Sequence, residues 1–282
     1  MISSKVELAL GIIVGLVAYI TLYIGKGVQK YAIEGFKEDR TVKSKHSGIW
    51  IFGTILTASF MLIQIIPLTV FHTPMNLIAP LEGVGLVSLL FFSFFILKES
   101  ISKTEILSVI LIIAGTILIN IVTKDPVELI QSDFNRNSFL IAFGILLFLS
   151  IPLTIVGFRK PSNLVGIALG LNAGCFMAFQ TLAKRIMDIG DLALIFTFVM
   201  FAFATVTLAL TQFAFTMARA NVVVPSFATT SIILTIILGV FVIEESIATI
   251  QIVGIVCIVI GIIIMNLFQK SSKEEEIEDN QT

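Results

Sequence analysis

Charge, histidine and cysteine are all scarce in this chain. Only 13% of its 282 residues are charged, against about a quarter in ordinary soluble domains, and 57% are hydrophobic. A soluble fold is excluded. The two cysteines, Cys175 and Cys257, both fall in apolar runs, where they serve as small packing residues and not as a disulfide or metal pair. A net charge of −1 with no basic cluster interleaved with aromatics gives nucleic acid no footing. No histidine, cysteine or carboxylate cluster occurs within the apolar runs, so an enzyme is not expected, and neither is a cofactor. No small-residue cleavage signature follows the run from Val6 to Ile24, which is expected to be retained as the first transmembrane helix.

What the chain does contain is one apolar run after another. A helix needs roughly 20 apolar residues to cross a bilayer core about 30 Å thick. Runs such as Ser231 to Val242 and Val253 to Met265 are apolar on every face, which fits helices and not the alternating strands of a barrel. The pattern predicts an all-α bundle of about nine transmembrane helices, over residues 7–25, 48–70, 76–97, 104–123, 138–157, 164–183, 192–216, 222–243 and 250–269. Thirteen Lys and Arg residues, among them Lys26 through Lys45, Arg159 and Lys273, then fall on one side; Lys5, Lys124, Arg136, Lys184 and Arg185 fall on the other. Positive loops stay inside, so the N-terminus is expected outside and the C-terminus in the cytoplasm of a cell membrane.

The chain also repeats itself. Gly11 to Ala18 and Gly166 to Ala173 share five identities in eight at an offset of 155. Asn76 and Pro80 match Asn221 and Pro225 at offset 145. At offset 146, Glu99-Ser100-Ile101 matches Glu245-Ser246-Ile247, Gly115 matches Gly261 and Asn120 matches Asn266. Corresponding helices lie five spans apart, so two four-helix units must face opposite ways. The predicted layout is an inverted repeat: residues 1–123, a linker with a central helix at 124–163, a second repeat at 164–269 and a disordered acidic tail at 270–282. Many secondary transporters place a midplane site between two such units.

Within the spans, Glu82 stands out as the one ionisable residue well inside. If its helix begins at Asn76, it lies about 9 Å down at 1.5 Å per residue, where a charge costs at least about 2.5 kcal/mol. It is a candidate proton or cation site, with a neutral carboxyl bonding a neighbouring helix as the alternative. Pro80 and Pro225 each follow an asparagine by four residues and cannot donate back to it; they are candidate helix breaks that free the carbonyls of Asn76 and Asn221. Gly11 with Gly15, and Gly166, Gly170 and Gly174, form packing stripes. Asn172, Gln180, Gln64, Gln212, Thr229 and Thr230 could together line a neutral polar cavity, although each alone could equally join helices. Tyr19, Tyr23 and Trp50 read as interfacial anchors.

In these same residues the chain resembles the drug/metabolite transporter (EamA-like) superfamily. The likeness runs through Ala79-Pro80-Leu81 to Leu97-Lys98-Glu99, and again through Val224-Pro225-Ser226 to Ile243-Glu244-Glu245. Nine spans with a long charged first loop are closest in layout to its NIPA-like magnesium transporter branch, where a small residue usually follows the Pro-Leu pair in place of Glu82. The resemblance implies alternating-access transport of a small solute. Its alternative is a divalent cation, which would keep most of its water and need one carboxylate and a few neutral oxygens, with Glu82 as metal ligand. A non-transporting membrane partner subunit is the remaining reading. The expected partners are the lipid bilayer, a small-molecule or cation substrate and a second copy in a homodimer.

Overall fold

The computed structural model describes residues 4–38, 43–96, 103–121, 128–218 and 220–279. Lys98, Glu99, Ser100, Ile101 and Lys124, which carried part of the sequence argument, lie outside the described residues, as do the side chains of Asn221 and Asn266. Among the described residues ten α-helices follow one another: α1 (Ser4–Glu38), α2 (Lys43–Ile63), α3 (Met75–Ile78), α4 (Leu81–Ile96), α5 (Lys103–Ile121), α6 (Arg136–Arg159), α7 (Asn163–Ile186), α8 (Ala193–Met217), α9 (Ala220–Val242) and α10 (Thr249–Asp279). No strand occurs among the described residues.

Seven helical stretches are long and apolar enough to cross a membrane, and Ile106–Ile121 and Thr249–Ile264 are shorter apolar helices. The burial pattern is that of a protein in lipid. Large apolar side chains such as Phe148, Phe158, Leu164, Leu194 and Phe198 stand exposed, while Lys26, Glu82, Lys184 and Arg185 are buried. In water, apolar exposure on this scale would be an aggregation hazard.

Two helices run further than hydropathy predicts. α1 continues from the expected end near residue 25 to Glu38, which carries Lys26 and Gln29 into the bundle. α10 continues through the acidic segment from Lys270, expected to be disordered, as far as Asp279; Lys and Glu are strong helix formers. Pro80 does interrupt its helix, separating α3 from α4. Pro225 does not break its own: it stands inside α9, which runs on past it to Val242.

α1 packs along α2 and α4, α7 packs along α8 and α9, and α5 pairs with α10. Glycine sets these crossings, because without a strong hydrophobic drive in lipid, close backbone approach must supply the contact. A Cβ on Gly115 would lie 2.5 Å from the Gly254 carbonyl, and one on Gly254 would lie 2.7 Å from the Gly115 carbonyl. The stripes on α1 and α7 do the same work. Gly11 and Gly15 face Thr73, Ile78 and Leu81, and Gly166, Gly170 and Gly174 face Ala218, Val223 and Phe227.

Candidate functional site: a polar chamber sealed at one end

The core of the bundle holds a cavity of about 210 Å³ walled by α1, α2, α7, α8 and α9. Its polar wall is made by Lys26, Gln29, Thr54, Thr57, Gln180, Thr207, Thr211 and Gln212. Most of the wall's surface is apolar, supplied by Leu22, Ala58, Phe60, Met61, Met177, Phe201, Ala204, Leu208 and Phe227. A second depression, of about 640 Å³, shares Gln212 and is lined by Ile33, Trp50 and Thr216. Those residues belong to the C-terminal parts of α1 and α8 and the N-terminal part of α2. A mouth therefore lies at that end of the bundle, and the chamber also reaches the outer face of α2 and α8, where Ala58, Phe201 and Thr205 stand exposed.

Lys26 is buried to 4% exposure. Its Nζ sits 3.3 Å from the ring centroid of Phe227 and 5.0 Å from that of Tyr23, within cation–π range, and has no hydrogen-bond partner among the described residues. Beside it the amides form a chain: Gln212 Nε2 donates to Gln29 Oε1 at 3.2 Å, and Gln29 Nε2 donates to Thr54 Oγ1 at 3.0 Å.

Deeper in the core lie two further buried ionisable groups. Glu82 is fully enclosed, accepts from the Tyr23 hydroxyl at 3.0 Å and faces Lys26 and Ser231. Lys184 donates to Gln64 Oε1 at 2.6 Å, and Gln64 Nε2 donates to the Tyr19 hydroxyl at 3.0 Å. Tyr19 and Tyr23, expected as interfacial anchors, are instead buried parts of this network.

The opposite end is closed by ion pairs. Arg185 Nη1 donates to Asp188 Oδ2 at 2.8 Å and to the Leu68 carbonyl at 3.1 Å, and Arg185 Nε lies 3.6 Å from Glu245 Oε1. Asp188 Oδ1 meets His72 Nδ1 at 2.7 Å. Glu245 receives the N–H groups of Met75 at 2.9 Å and Asn76 at 3.1 Å, a carboxylate at the positive end of a helical turn. The Leu68 carbonyl is on offer to Arg185 because it lies in the last turn of a helix, where carbonyls lack intrahelical donors. That turn, Ile66–Val70, is π-helical, with Pro67 in its first turn, and is closed by Phe71 N–H on the Ile66 carbonyl at 3.1 Å. Two non-glycine residues with positive φ, His72 at 46° and Glu244 at 53°, turn the chain at this same end.

The sequence-predicted site residues divide accordingly. Gln180 and Gln212 line the chamber. Gln64 and Glu82 belong to the network behind it. Asn76 ties α3 to the α9–α10 turn through Nδ2 on the Ser246 carbonyl at 3.0 Å. Asn172 accepts from Ser150 at 2.6 Å and joins α7 to α6. Thr229 and Thr230 bond back to the carbonyls of Pro225 and Ser226 within α9. Glu82 is not alone inside the spans, as the sequence suggested: Lys26, Lys184 and Arg185, read as loop residues, are all buried. The available signal was spacing. Leu22, Lys26 and Gln29 recur at four and three residues, one continuing helical face, where hydropathy had ended the span at Gly25.

The arrangement defines the class of the protein, an all-helical chain suited to a membrane, with a chamber in its core whose mostly apolar wall carries a lysine and several amides and hydroxyls. No protein-family model, no curated protein and no solved structure matches it. Among the described residues, no group of three or more His, Cys, Asp or Glu could hold a metal ion.

Proposed function

We propose that the protein is a secondary transporter of the drug/metabolite transporter kind, moving a small solute by alternating access. One observation carries the reading: a chamber in the core that holds a lysine, amides and hydroxyls, with a mouth at one end and an ion-paired seal at the other. A transporter at rest in one of its two access states has that arrangement. Nine membrane helices in two opposed four-helix units are part of the proposal. It is supported by the way α1 lies on α2 and α4 as α7 lies on α8 and α9, and by the matched glycine stripes at those crossings. The proposed setting is a cell membrane with the N-terminus outside. Taking Lys26, Lys184 and Arg185 out of the loops leaves the Lys and Arg count at 12 against 3, still biased to the same side. The mouth is then cytoplasmic and the seal external.

The divalent-cation reading of the NIPA-like kind fits the chamber less well. Its supporting residue, Glu82, is not in the chamber wall, whereas Lys26 is, and an ammonium repels a second cation.

The experiment uses purified protein in proteoliposomes, with Cys175 and Cys257 replaced by serine and single cysteines at Thr57 and His72. Impermeant maleimide should label Thr57→Cys from one membrane face only, and a transported solute should change the labelling of both sites in opposite senses. Labelling from both faces, or indifference to every solute in a broad counterflow screen, would leave a partner-subunit role instead.

A further inference from the structure

Alternating access by itself does not require a lysine in the chamber wall. An ion removed from water costs several kcal/mol unless a partner offsets it, yet Lys26 Nζ has aromatic faces and no hydrogen-bond acceptor. Basic side chains also outnumber carboxyls in this part of the core among the described residues. Lys26 and Lys184 are both buried there against the single carboxyl of Glu82. Lys184 is met by the neutral oxygen of Gln64, and Glu82 by the Tyr23 hydroxyl. Glu82 faces Lys26 as well but takes its hydrogen bond from Tyr23, so the Lys26 ammonium has no hydrogen-bond acceptor among the described residues.

We infer that the chamber binds a small organic monoanion, a carboxylate on a short apolar body, with Lys26 as its counter-charge. The inference rests on the transporter reading for how the ligand is delivered, but the site is argued from the wall alone. The side-chain amides of Gln29, Gln180 and Gln212 stand in the same wall as Lys26 and supply N–H donors for a carboxylate or an adjacent carbonyl. Leu22, Met61 and Met177 offer apolar surface for the rest of the molecule. A phosphate ester asks for more, a bidentate guanidinium or several cations, and no arginine lines the cavity. Size sets the other limit: about 210 Å³ is below the roughly 300–1,000 Å³ of sites for drug-sized ligands.

The test is calorimetric titration of the full-length protein in detergent with sodium 2-oxobutyrate, sodium palmitate and butylammonium chloride as probes, and sodium chloride as the blank. Saturable binding of 2-oxobutyrate is expected, weakened at least about tenfold in Lys26→Met and largely kept in Lys26→Arg, since a charge-assisted hydrogen bond is worth about 1.5–3 kcal/mol. Ala204→Leu, which fills the chamber and leaves the charge in place, should also abolish it, so the test survives a poorly folding Lys26→Met. Binding unchanged in both Lys26→Met and Ala204→Leu would overturn the inference. So would butylammonium binding where 2-oxobutyrate does not, or palmitate binding with 2-oxobutyrate silent, which would mark a lipid-borne ligand. Binding without uptake of 2-oxobutyrate into proteoliposomes would sink the transporter reading and leave the anion site standing. Transport of another solute with no 2-oxobutyrate binding would do the reverse.

Discussion

The two ends of the bundle use buried charge in opposite ways. At the sealed end Arg185 is shared among Asp188, Glu245 and the Leu68 carbonyl, and Glu245 also receives two backbone N–H groups. In the chamber, Lys26 has ring faces and nothing that accepts a hydrogen bond. Saturated charges hold elements together, since removing one partner strands the others. An unsaturated charge contributes little to holding the fold and is available to a ligand. The two ends therefore predict opposite consequences for the same kind of substitution.

The largest effect belongs to the seal. Arg185→Met takes the guanidinium away from the nearly buried carboxylates of Asp188 and Glu245 and leaves them their N–H and His72 contacts, a loss of up to about 3–5 kcal/mol for a broken buried pair. Thermal unfolding in detergent should show a clear fall in Tm, and a Tm equal to that of the parent protein would mean the seal is not a structural device. Next comes the α5–α10 crossing. Gly115→Leu drives a side chain against the Gly254 carbonyl, and overpacking of this kind costs about 1–3 kcal/mol. Gly48→Leu, on an exposed position with nothing within 4 Å, is the control and should leave Tm nearly unchanged.

This contrast was only partly legible in the sequence. The apolar runs were, because the requirement for about 20 apolar residues per crossing is imposed by the bilayer and not by packing. The seven long apolar stretches and two shorter ones coincide with the expected spans to within a few residues at most ends. Glu82 was legible because a lone carboxylate inside an apolar run has few innocent explanations. Lys26, Lys184 and Arg185 were lost for the opposite reason: each follows the end of such a run, where a basic residue ordinarily marks a loop. Only the bundle shows that α1 and α7 continue inside it past those positions. Glu245 served the sequence argument as a repeat marker, and nothing local announces that it receives N–H groups from residues 169 and 170 positions earlier.

A smaller effect is expected where a polar contact merely joins two helices. Ser150→Ala removes the hydrogen bond to Asn172 and leaves α6 packed on α7. Such bonds between membrane helices average about 0.6 kcal/mol, so Tm should fall by little more than the error of the measurement. A loss as large as that of Arg185→Met would make this contact a third anchor and blur the distinction between the two ends.

The sharpest test is the smallest change in stability. Lys26→Met exchanges a buried ammonium for an unbranched apolar chain against the same Tyr23 and Phe227 rings, where methionine packs well. The ion's desolvation cost disappears with it; replacing both members of a buried pair is often neutral or stabilising, whereas removing one strands the other, so the outcome turns on whether Glu82, which faces Lys26, depends on it. Glu82 keeps its bond from Tyr23. The Tm of the unliganded variant should therefore equal or exceed that of the parent while ligand binding is lost, the usual trade between stability and a working site. A variant that unfolds as readily as Arg185→Met would show that Lys26 is another structural charge, answered by Glu82 and not reserved for a ligand.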